Sequence, residues 1–352
     1  MLTKKTILIT GGTGSLGKIL IKRLLTGELG MPRKIIVFSR DEAKQHAIRM
    51  SYMNKRAATE EIIFHHIESM LDFRIGDVRD YSSLAEALIG VDVIFNAAAL
   101  KQVPTCEYFP FQAVMTNIHG PENIVRAIQE HHLPVETVIG VSTDKACKPV
   151  NVMGMTKSLQ ERVFIQANMR CPQTRFICVR YGNVLASRGS VIQLFHNQIR
   201  NGGPVTITTI DMTRFLLSLD QAVDTIFTAY KEAKRGEIYI QRVPSARVID
   251  LAAALIGDRP IQTVITGIRP GEKLHEILIS EEECHRSVDR GIYYAILPML
   301  PELSDWKEYI AALQDEFSSA DNVMSPSDVV DTLRLNRLLL DDKFQDDEEL
   351  LR

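Results

Sequence analysis

Asp144 and Lys145 are adjacent and follow a short apolar run, residues 137–142, that is typical of a β-strand. Open α/β folds bind ligands at the carboxyl ends of their strands, so a carboxyl and an amine are expected there together. Such a pair can remove one proton and supply another during an elimination. A lysine serves as a base only if burial or a neighbouring cation lowers its pKa toward neutrality. Without further context, an Asp-Lys pair is more often a surface ion pair.

A glycine-rich loop lies close to the N-terminus. Residues 10–17 have the sequence Thr-Gly-Gly-Thr-Gly-Ser-Leu-Gly, between an apolar run and a helical pattern. Glycines at this spacing permit a tight turn and the close approach of a pyrophosphate, and the following helix presents its N-terminal amides. The alternative is a turn that binds nothing. We predict a dinucleotide site, and the loop residues assigned to it are Gly11, Thr13, Gly14, Ser15, Leu16 and Gly17.

The end of the second predicted strand indicates which dinucleotide binds. An acidic residue there bonds a free ribose 2'-hydroxyl, whereas an arginine accommodates a 2'-phosphate. The chain has Ser39, Arg40 and Asp41 at this point, with Lys44 one helical turn later. We therefore predict NADP, although Asp41 leaves NAD open.

Asp77 and Val78 follow the third predicted strand and are assigned to the adenine end of the cofactor. A turn residue or helix N-cap is an equally good interpretation of Asp77.

The first half of the chain alternates β-branched runs with helical patterns, which predicts a parallel sheet covered on both faces. The predicted strands are 7–10, 34–39, 73–76, 91–96, 137–142 and 174–180, and the predicted helices are 16–25, 82–88, 121–131 and 153–167. Residues 42–70 are predicted to form a helix extended by a surface excursion. After about residue 180 the pattern becomes irregular. The fold class is therefore α/β, a Rossmann-type doubly wound sheet with a smaller C-terminal lobe.

Composition restricts the function classes. The 352 residues carry a net charge of -3, which argues against a general nucleic-acid binder. We find no signal-peptide pattern and no apolar run of about 20 residues, so we expect a cytoplasmic protein without a membrane partner. The five cysteines are scattered, which predicts free thiols and no metal site.

Several blocks together resemble one family. They are residues 96–104, 142–146, 180–184, 187–191, 212–215 and 267–273. In this order they are similar to the extended short-chain dehydrogenase/reductases, and within them to the inverting UDP-N-acetylglucosamine 4,6-dehydratases of bacterial capsule, O-antigen and flagellin glycosylation. Such enzymes move a hydride from sugar carbon 4 to the nicotinamide, eliminate water across carbons 5 and 6, and return the hydride to carbon 6. Inversion at carbon 5 gives UDP-2-acetamido-2,6-dideoxy-L-arabino-hexos-4-ulose.

The resemblance implies a domain organisation. We expect an NADP-binding Rossmann domain over residues 1–182, to which some later segments return. A UDP-sugar-binding lobe is expected over 183–300 and a C-terminal arm over 301–352. The resemblance also implies a homo-oligomer, as a hexamer or a dimer.

The resemblance implies catalytic roles as well. By this resemblance, Lys145 is the base that removes the proton of carbon 5, and Asp144 is the acid that assists loss of the hydroxyl at carbon 6. The superfamily pattern is Tyr-x-x-x-Lys, in which the lysine lowers the tyrosine pKa and positions the ribose. Lys157 is present, but Met153 fills the tyrosine position, and a thioether accepts no proton. Either redox activity is lost or a neighbour assumes the role. The same Met-x-x-x-Lys in the 4,6-dehydratase/5-epimerases of capsular N-acetyl-L-fucosamine synthesis favours a neighbour, Asp144 or Lys145, acting directly or through a water.

The remaining site residues are assigned by the same resemblance. Further cofactor contacts are Ala97, Ala98, Ala99, Lys101, Asn117, Ser142, Lys157, Tyr181 and Asn183. Contacts with the UDP-sugar are Lys101, Cys106, Glu107, Thr143, Asn183, Ser190, Val191, Thr213, Arg214, Arg269 and Glu272. Arg214 and Arg269 are assigned to the pyrophosphate and Glu272 to the ribose hydroxyls. For Cys106, a small buried thiol is an equal alternative.

Other functions remain open from the sequence. A retaining 4,6-dehydratase, a dehydratase that stops at a 5,6-ene sugar and a UDP-sugar 4-epimerase are the enzyme alternatives, and the Asp144-Lys145 pair argues against the epimerase. A nucleotide-binding scaffold with degenerate catalysis is the non-enzyme alternative, and only Met153 favours it.

Overall fold

The computed structural model describes residues 1–54, 69–185, 190–304 and 306–340. Its strands are β1 (Thr6–Thr10), β2 (Lys34–Ser39), β3 (Leu71–Ile75), β4 (Val93–Asn96), β5 (Thr137–Val141), β6 (Arg175–Arg180), β7 (Asn183–Val184), β8 (Val205–Ile207), β9 (Thr213–Leu217), β10 (Ile238–Gln241), β11 (Ser245–Arg247), β12 (Thr263–Ile265), β13 (Ile277–Ile279), β14 (Ser287–Arg290), β15 (Tyr293–Ile296) and β16 (Phe317–Ser318).

The helices lie between and after these strands. They are α1 (Ser15–Leu25), α2 (Glu42–Asn54), α3 (Tyr81–Ala87), α4 (Val103–Tyr108), α5 (Pro110–Val114), α6 (Gly120–Glu130), α7 (Val152–Arg170), α8 (Val191–Arg200), α9 (Leu219–Glu232), α10 (Val248–Ile256), α11 (Glu281–Cys284) and α12 (Pro326–Leu335). A π-helical turn covers Met115–His119, and 3-10 turns cover Asp144–Ala146 and Trp306–Glu308.

One nine-stranded sheet dominates the structure, in the order β14-β15-β10-β6-β5-β4-β1-β2-β3. From β3 to β10 all neighbours pair in parallel, whereas β15 pairs antiparallel with both β10 and β14. Every residue of β1, β4 and β5 is buried. A central parallel strand is covered on both faces, so its sequence is continuously apolar rather than alternating. The predicted α/β Rossmann fold is confirmed.

The predicted elements of the first half are found within two or three residues of their expected bounds. The largest difference is at α7, which ends at Arg170 instead of at position 167. The helices α4 and α5 were not predicted. In the 42–70 segment α2 is helical, and residues 55–68 lie outside the described residues. The block residues 187–189 and the acidic tail 341–349 also lie outside them.

A second, smaller core lies beside the sheet. It joins α8, β8, β9 and α10 with the C-terminal helix α12, whose Val329 and Leu333 are fully buried. The strands β10, β14 and β15 belong to the large sheet, so the chain returns to the first core after leaving it. The segment before α12 pairs β16 with β13. The C-terminal arm therefore packs on both parts of its own chain.

The five cysteines are buried and form no disulfide. Within the described ranges, no helix is both long enough and apolar enough to cross a bilayer.

Candidate active site

A cavity of about 790 Å³ lies at the carboxyl ends of β1, β2, β4, β5 and β6, where the second core faces the sheet. This edge is the one at which open α/β sheets bind ligands. Its wall contains the glycine loop, the Asp144–Ala146 turn, the start of α8 and the loop around residues 269–272. The volume falls in the range of small-molecule and cofactor sites.

The glycine loop forms one end of the cavity. Gly11 has φ +66°, and a Cβ there would lie 2.8 Å from the backbone of Ala98. A Cβ at Gly17 would lie 2.4 Å from the backbone of Gly12. No side chain caps the N-terminus of α1, whose N-cap is Gly14. Uncapped amides beside a glycine turn attract anions, so the loop fits the pyrophosphate of a dinucleotide.

The residues after β2 and β3 form the adjoining wall. Lys44 forms an ion pair with Asp41, so this carboxylate already has a cationic partner. The Arg40 guanidinium lies 3.7 Å from Asp77 and its side chain is 56% exposed. Burial raises the pKa of Asp77, but hydrogen bonds from Arg79 outweigh it and hold the pKa below its usual value. This wall therefore presents the cations Arg40 and Lys44 beside the carboxyl groups of Asp41 and Asp77.

The Asp144-Lys145 pair lies at the centre of the cavity, on a 3-10 turn that follows β5. The amide of Asp144 donates to the carbonyl of Tyr181 at 3.1 Å, which fixes the turn against the end of β6. Asp144 is fully buried. Its Oδ1 accepts from Lys145 Nζ at 3.0 Å and from Thr143 Oγ1 at 2.8 Å. On the other side of the ammonium, Glu276 Oε1 lies 3.0 Å away.

The two carboxylates determine the ionisation of Lys145. Burial lowers the pKa of this lysine, but Asp144 and Glu276 outweigh it, so the pKa lies above its ordinary value. Burial raises the pKa of Asp144, and Glu276 raises it further. The lowered pKa expected of a lysine base is therefore not found at Lys145.

Lys157, unlike Lys145, has a lowered pKa. Burial lowers it to about 8, because the ammonium is removed from water. Nζ donates to the carbonyl of Val141 and to Gln160 Oε1, both at 2.7 Å. Met153, one turn earlier on α7, is buried against Cys106 and also lines the cavity. One face of α7 therefore presents a thioether and a weakly basic amine to the cavity.

A buried ionic network also supports β5 and β6. Arg180 on β6 is 1% exposed and lies 2.7 Å from carboxylate oxygens of both Glu161 and Glu283. Burial raises the pKa of Glu283, but Arg180 outweighs it and lowers the pKa to about 2. Glu161 also accepts a 2.5 Å hydrogen bond from Ser142, a residue of the cavity wall. The network thus fixes the carboxyl ends of β5 and β6 in position.

The opposite end of the cavity is polar. Arg214 Nη1 and Nη2 donate to the backbone carbonyls of Thr213, Leu274 and Lys273. These bonds fix the guanidinium at the cavity wall. Among the described residues, Asn183 Oδ1 and Ser190 Oγ are buried without a hydrogen-bond partner. Buried polar atoms without partners are unusual, so both are available to a ligand.

Most of the predicted site residues line this one cavity. They are Gly11, Thr13, Gly14, Ser15, Leu16, Gly17, Ser39, Arg40, Asp41, Lys44, Asp77, Val78, Ala97, Ala98, Ala99, Lys101, Ser142, Thr143, Asp144, Lys145, Met153, Lys157, Tyr181, Asn183, Ser190, Val191, Arg214, Arg269 and Glu272.

Four predicted contacts do not line the cavity. Cys106 is buried beneath it, and Glu107 accepts a hydrogen bond from the amide of Val152 at 2.7 Å. Asn117 bonds both backbone groups of Leu100. The Thr213 hydroxyl bonds His275 and Ser319. These side chains hold the neighbouring loops in position.

Glu276 is the most important residue of the cavity that the sequence did not predict. It follows the Arg-Pro-Gly-Glu turn by four residues, and no spacing relates it to Lys145. Phe38, Gln102, Thr206, Thr208 and Met212 also line the cavity without having been predicted. Within the described residues, no group of three or more His, Cys, Asp and Glu side chains could hold a metal ion.

Comparison with known proteins agrees with this geometry. Residues 7–298 match the family described as polysaccharide biosynthesis protein. The chain belongs to this family. A relative from Rickettsia conorii named UDP-glucose 4-epimerase is 45% identical over 301 residues, which covers 84% of each chain. One from Rickettsia prowazekii with the same name is 42% identical over 331 residues, covering 91% of this chain and 92% of the relative.

Solved structures give the same assignment of fold. Pen from Bacillus thuringiensis has a TM-score of 0.85 and 32% sequence identity, over 97% of this chain and all of that one. DesIV from Streptomyces venezuelae, a dTDP-glucose 4,6-dehydratase solved with NAD and TYD bound, has a TM-score of 0.62 and 22% identity. That match covers 76% of this chain and 86% of DesIV. This chain therefore has the extended short-chain dehydrogenase/reductase fold.

Proposed function

We propose that this family member is a nucleotide-sugar dehydratase/epimerase, and that it catalyses the NADP-dependent, inverting 4,6-dehydration of UDP-N-acetylglucosamine with 5-epimerisation. The observation that carries the dehydration is the buried Asp144-Lys145 pair facing the cavity. An elimination needs one group that gains a proton and another that gives one, close together and shielded from water. The family description supports an early step of bacterial surface glycan synthesis.

The dinucleotide fits the glycine loop, and we propose NADP because Arg40 and Lys44 stand where a 2'-phosphate would lie. Bound there, it supplies a hydride acceptor at carbon 4 and a hydride donor at carbon 6. Lys157 would hold the ribose from α7. The test compares kcat/KM for activation by NADP with kcat/KM for activation by NAD. In R40S, the ratio of the NADP value to the NAD value is expected to fall. An unchanged ratio would contradict the assignment of Arg40.

The chain's own residues would handle the protons. Asp144 would protonate the 6-hydroxyl as it leaves, since its pKa is raised by burial. Lys145 would accept the carbon 5 proton once it has lost one of its own. Met153 accepts none, so Asp144 or Lys145, acting directly or through a water, would assist loss of the 4-hydroxyl proton. If D144N and K145A proteins still oxidised the substrate at the wild-type single-turnover rate, this assignment would be wrong.

The substrate's diphosphate would meet Arg214 and Arg269, while Asn183 and Ser190 offer buried polar atoms without partners in the described chain. Charge-assisted bonds from guanidinium groups are the usual means of holding a diphosphate. Glu272 would contact the ribose hydroxyls.

A UDP-sugar 4-epimerase is the second candidate, because the curated relatives carry that name. Incubation with UDP-N-acetylglucosamine, and in parallel with UDP-glucose, in deuterated water distinguishes the two by NMR of the products. Deuterium at carbon 5 of an L-series 4-keto-6-deoxy sugar supports the dehydratase. A galacto product without deuterium supports the epimerase. Unchanged sugars would argue for a scaffold or for another substrate.

We also propose a homo-oligomer. Tyr108, Phe109 and Phe111 are 59–82% exposed on the adjoining helices α4 and α5. Met155 and Leu159, about half exposed, lie on α7, which packs against both helices. Clustered exposed aromatic residues are typical of protein interfaces.

A further inference from the structure

Glu276 lies in the cavity wall and contacts the central lysine. The residue is 2% exposed, and its Oε1 is 3.0 Å from Lys145 Nζ and 3.8 Å from Arg214 Nε. Asp144 contacts the same ammonium from the other side at 3.0 Å. Lys145 is therefore shared between two buried carboxylates.

The backbone of Glu276 is fixed by the C-terminal arm. Its amide donates to Ser319 Oγ at 2.9 Å, and the amide of Ser319 donates to its carbonyl at 2.8 Å. Ser319 is fully buried and also bonds Thr213. These bonds hold the Glu276 side chain toward Lys145.

Each carboxylate also has one oxygen that is not engaged. Among the described residues, Asp144 Oδ2 and Glu276 Oε2 are buried and have no hydrogen-bond partner. Leaving a buried acceptor unpaired costs about 1–3 kcal/mol. Two such atoms on either side of one ammonium indicate a group arranged for proton transfer rather than for stability alone.

The surrounding charges distinguish the two carboxylates. Glu276 has a second cation, Arg214, whereas the other partner of Asp144 is the neutral Thr143 hydroxyl. Lys273 adds positive charge near both. When two carboxyl groups share one buried cation, the one with less cationic support keeps its proton to higher pH.

The pKa directions agree with this geometry. Burial raises the pKa of Asp144, and the Glu276 charge adds to the effect. Burial also raises the pKa of Glu276, but Lys145 and Arg214 outweigh it, and the pKa lies below its ordinary value. His275, the remaining titratable neighbour on this loop, bonds Thr213 through Nδ1. Of the two carboxyl groups, Asp144 is therefore the one that keeps its proton to higher pH.

We propose that Glu276 is a positioning residue of the dehydration: it is the counter-ion and proton partner of Lys145, which leaves Asp144 to carry the proton given to the departing hydroxyl. This inference rests on the proposed 4,6-dehydration. Lys145 passes one proton to Glu276 and then takes the proton of carbon 5. The electron pair of the carbon–hydrogen bond forms the 5,6 double bond as the bond from carbon 6 to oxygen breaks. Asp144 protonates that oxygen, and water leaves.

The proton count closes within the group. After elimination Asp144 is ionised, Lys145 is an ammonium and Glu276 is protonated. Transfer of one proton from Lys145 to Asp144, and of the Glu276 proton to Lys145, restores the starting state. Two carboxylates are required, because one must hold the acid proton while the other receives the lysine proton.

The test is the pH profile of elimination in wild type, E276Q and E276D, measured by single turnover with saturating substrate. Elimination requires protonated Asp144, so the wild-type rate falls as pH rises through its elevated pKa. In E276Q, Asp144 becomes the counter-ion of Lys145 and its pKa falls. We expect the falling limb to move to lower pH by about one unit or more, and the rate at a fixed pH on that limb to fall about tenfold or more. E276D should restore the limb, with KM unchanged in both variants.

Two results would overturn the proposal. An E276Q profile with the wild-type limb would exclude the role of Glu276, and a change confined to KM would make it a binding residue. A direct measurement separates this from failure of the proposed reaction. The carboxyl carbon of Asp144, assigned in 13C-aspartate NMR spectra with D144N, should titrate at higher pH in wild type than in E276Q. Equal titration would refute the charge assignment whatever the sugar chemistry, whereas absence of a 4-keto product from wild type would refute only the proposed function.

Discussion

Replacing Lys157 by methionine should change the pH dependence of stability in a calculable way. Burial lowers the pKa of Lys157 from the ordinary 10.5 to about 8. A shift of that size corresponds to roughly 3 kcal/mol of destabilisation while the folded lysine is charged. K157M removes this destabilisation. It also removes the hydrogen bonds to Val141 and Gln160, but their loss does not depend on pH over this range.

The sign of this pH dependence follows from the number of protons that the folded and unfolded chains bind. Below about pH 8 both the folded and unfolded chains carry a charged Lys157, so the full destabilisation applies. Between about pH 8 and 10.5 the unfolded chain binds more protons, and the stability of wild type rises with pH. Relative to K157M, wild type should gain about 2 kcal/mol between pH 7 and 9.5.

The assay is urea unfolding without nucleotide, followed by circular dichroism at both pH values, with equal m values as the check on two-state behaviour. All other titrating groups are common to both proteins, so the difference isolates Lys157. K231M is the matched control for replacing a lysine by methionine, because Lys231 is an exposed lysine on α9. If the difference in free energy of unfolding between wild type and K157M changes by less than about 0.5 kcal/mol between the two pH values, the reasoning is wrong.

Three further predictions follow from packing and exposure. R180M leaves two buried carboxylates without their cation, so urea unfolding should show a loss of about 3–5 kcal/mol in the free energy of unfolding. A loss smaller than that caused by replacing an exposed arginine would contradict this prediction. G17A brings a Cβ to 2.4 Å from backbone atoms, which should destabilise the chain by about 1–3 kcal/mol and abolish cofactor binding in calorimetry. F111D should reduce the mass measured by light scattering, whereas L335D, at a still more exposed apolar residue on α12, should leave it unchanged. Equal masses for F111D and wild type would exclude α5 from an interface.

The sequence predicted well what local interactions determine. Most strands of the first half contain a short apolar run, such as residues 7–9 of β1, and this pattern is visible without any tertiary contact, whereas β3 alternates apolar and charged residues. The glycine loop is also local, because the steric need at Gly11 and Gly17 arises from a turn between one strand and one helix. The same is true of α7, whose N-cap Asn151 accepts a hydrogen bond from the amide of Gly154.

What the sequence could not predict depends on distant contacts. Glu276 meets Lys145 across 131 positions, and Arg180 meets Glu283 across 103. No periodicity relates such residues, since the sheet order and the C-terminal arm bring them together. The pKa of Lys145 was misjudged for the same reason, because its second carboxylate comes from the distant segment that precedes β13.

The cavity contains two lysines that burial and charge affect in opposite directions. Lys145 contacts two carboxylates that raise its pKa, whereas Lys157 donates to the neutral oxygens of Val141 and Gln160 and burial lowers its pKa to about 8. Groups whose environments separate their pKa values are typical of divided acid and base roles. Lys145 can act as a base only if a carboxylate takes its proton, and Glu276 is in contact to do so. Lys157 needs no such partner, because at pH 8 about half of it is already neutral. The charge on Lys157 therefore changes near pH 8, whereas a proton accepted by Lys145 must first be matched by one that Lys145 gives to a carboxylate.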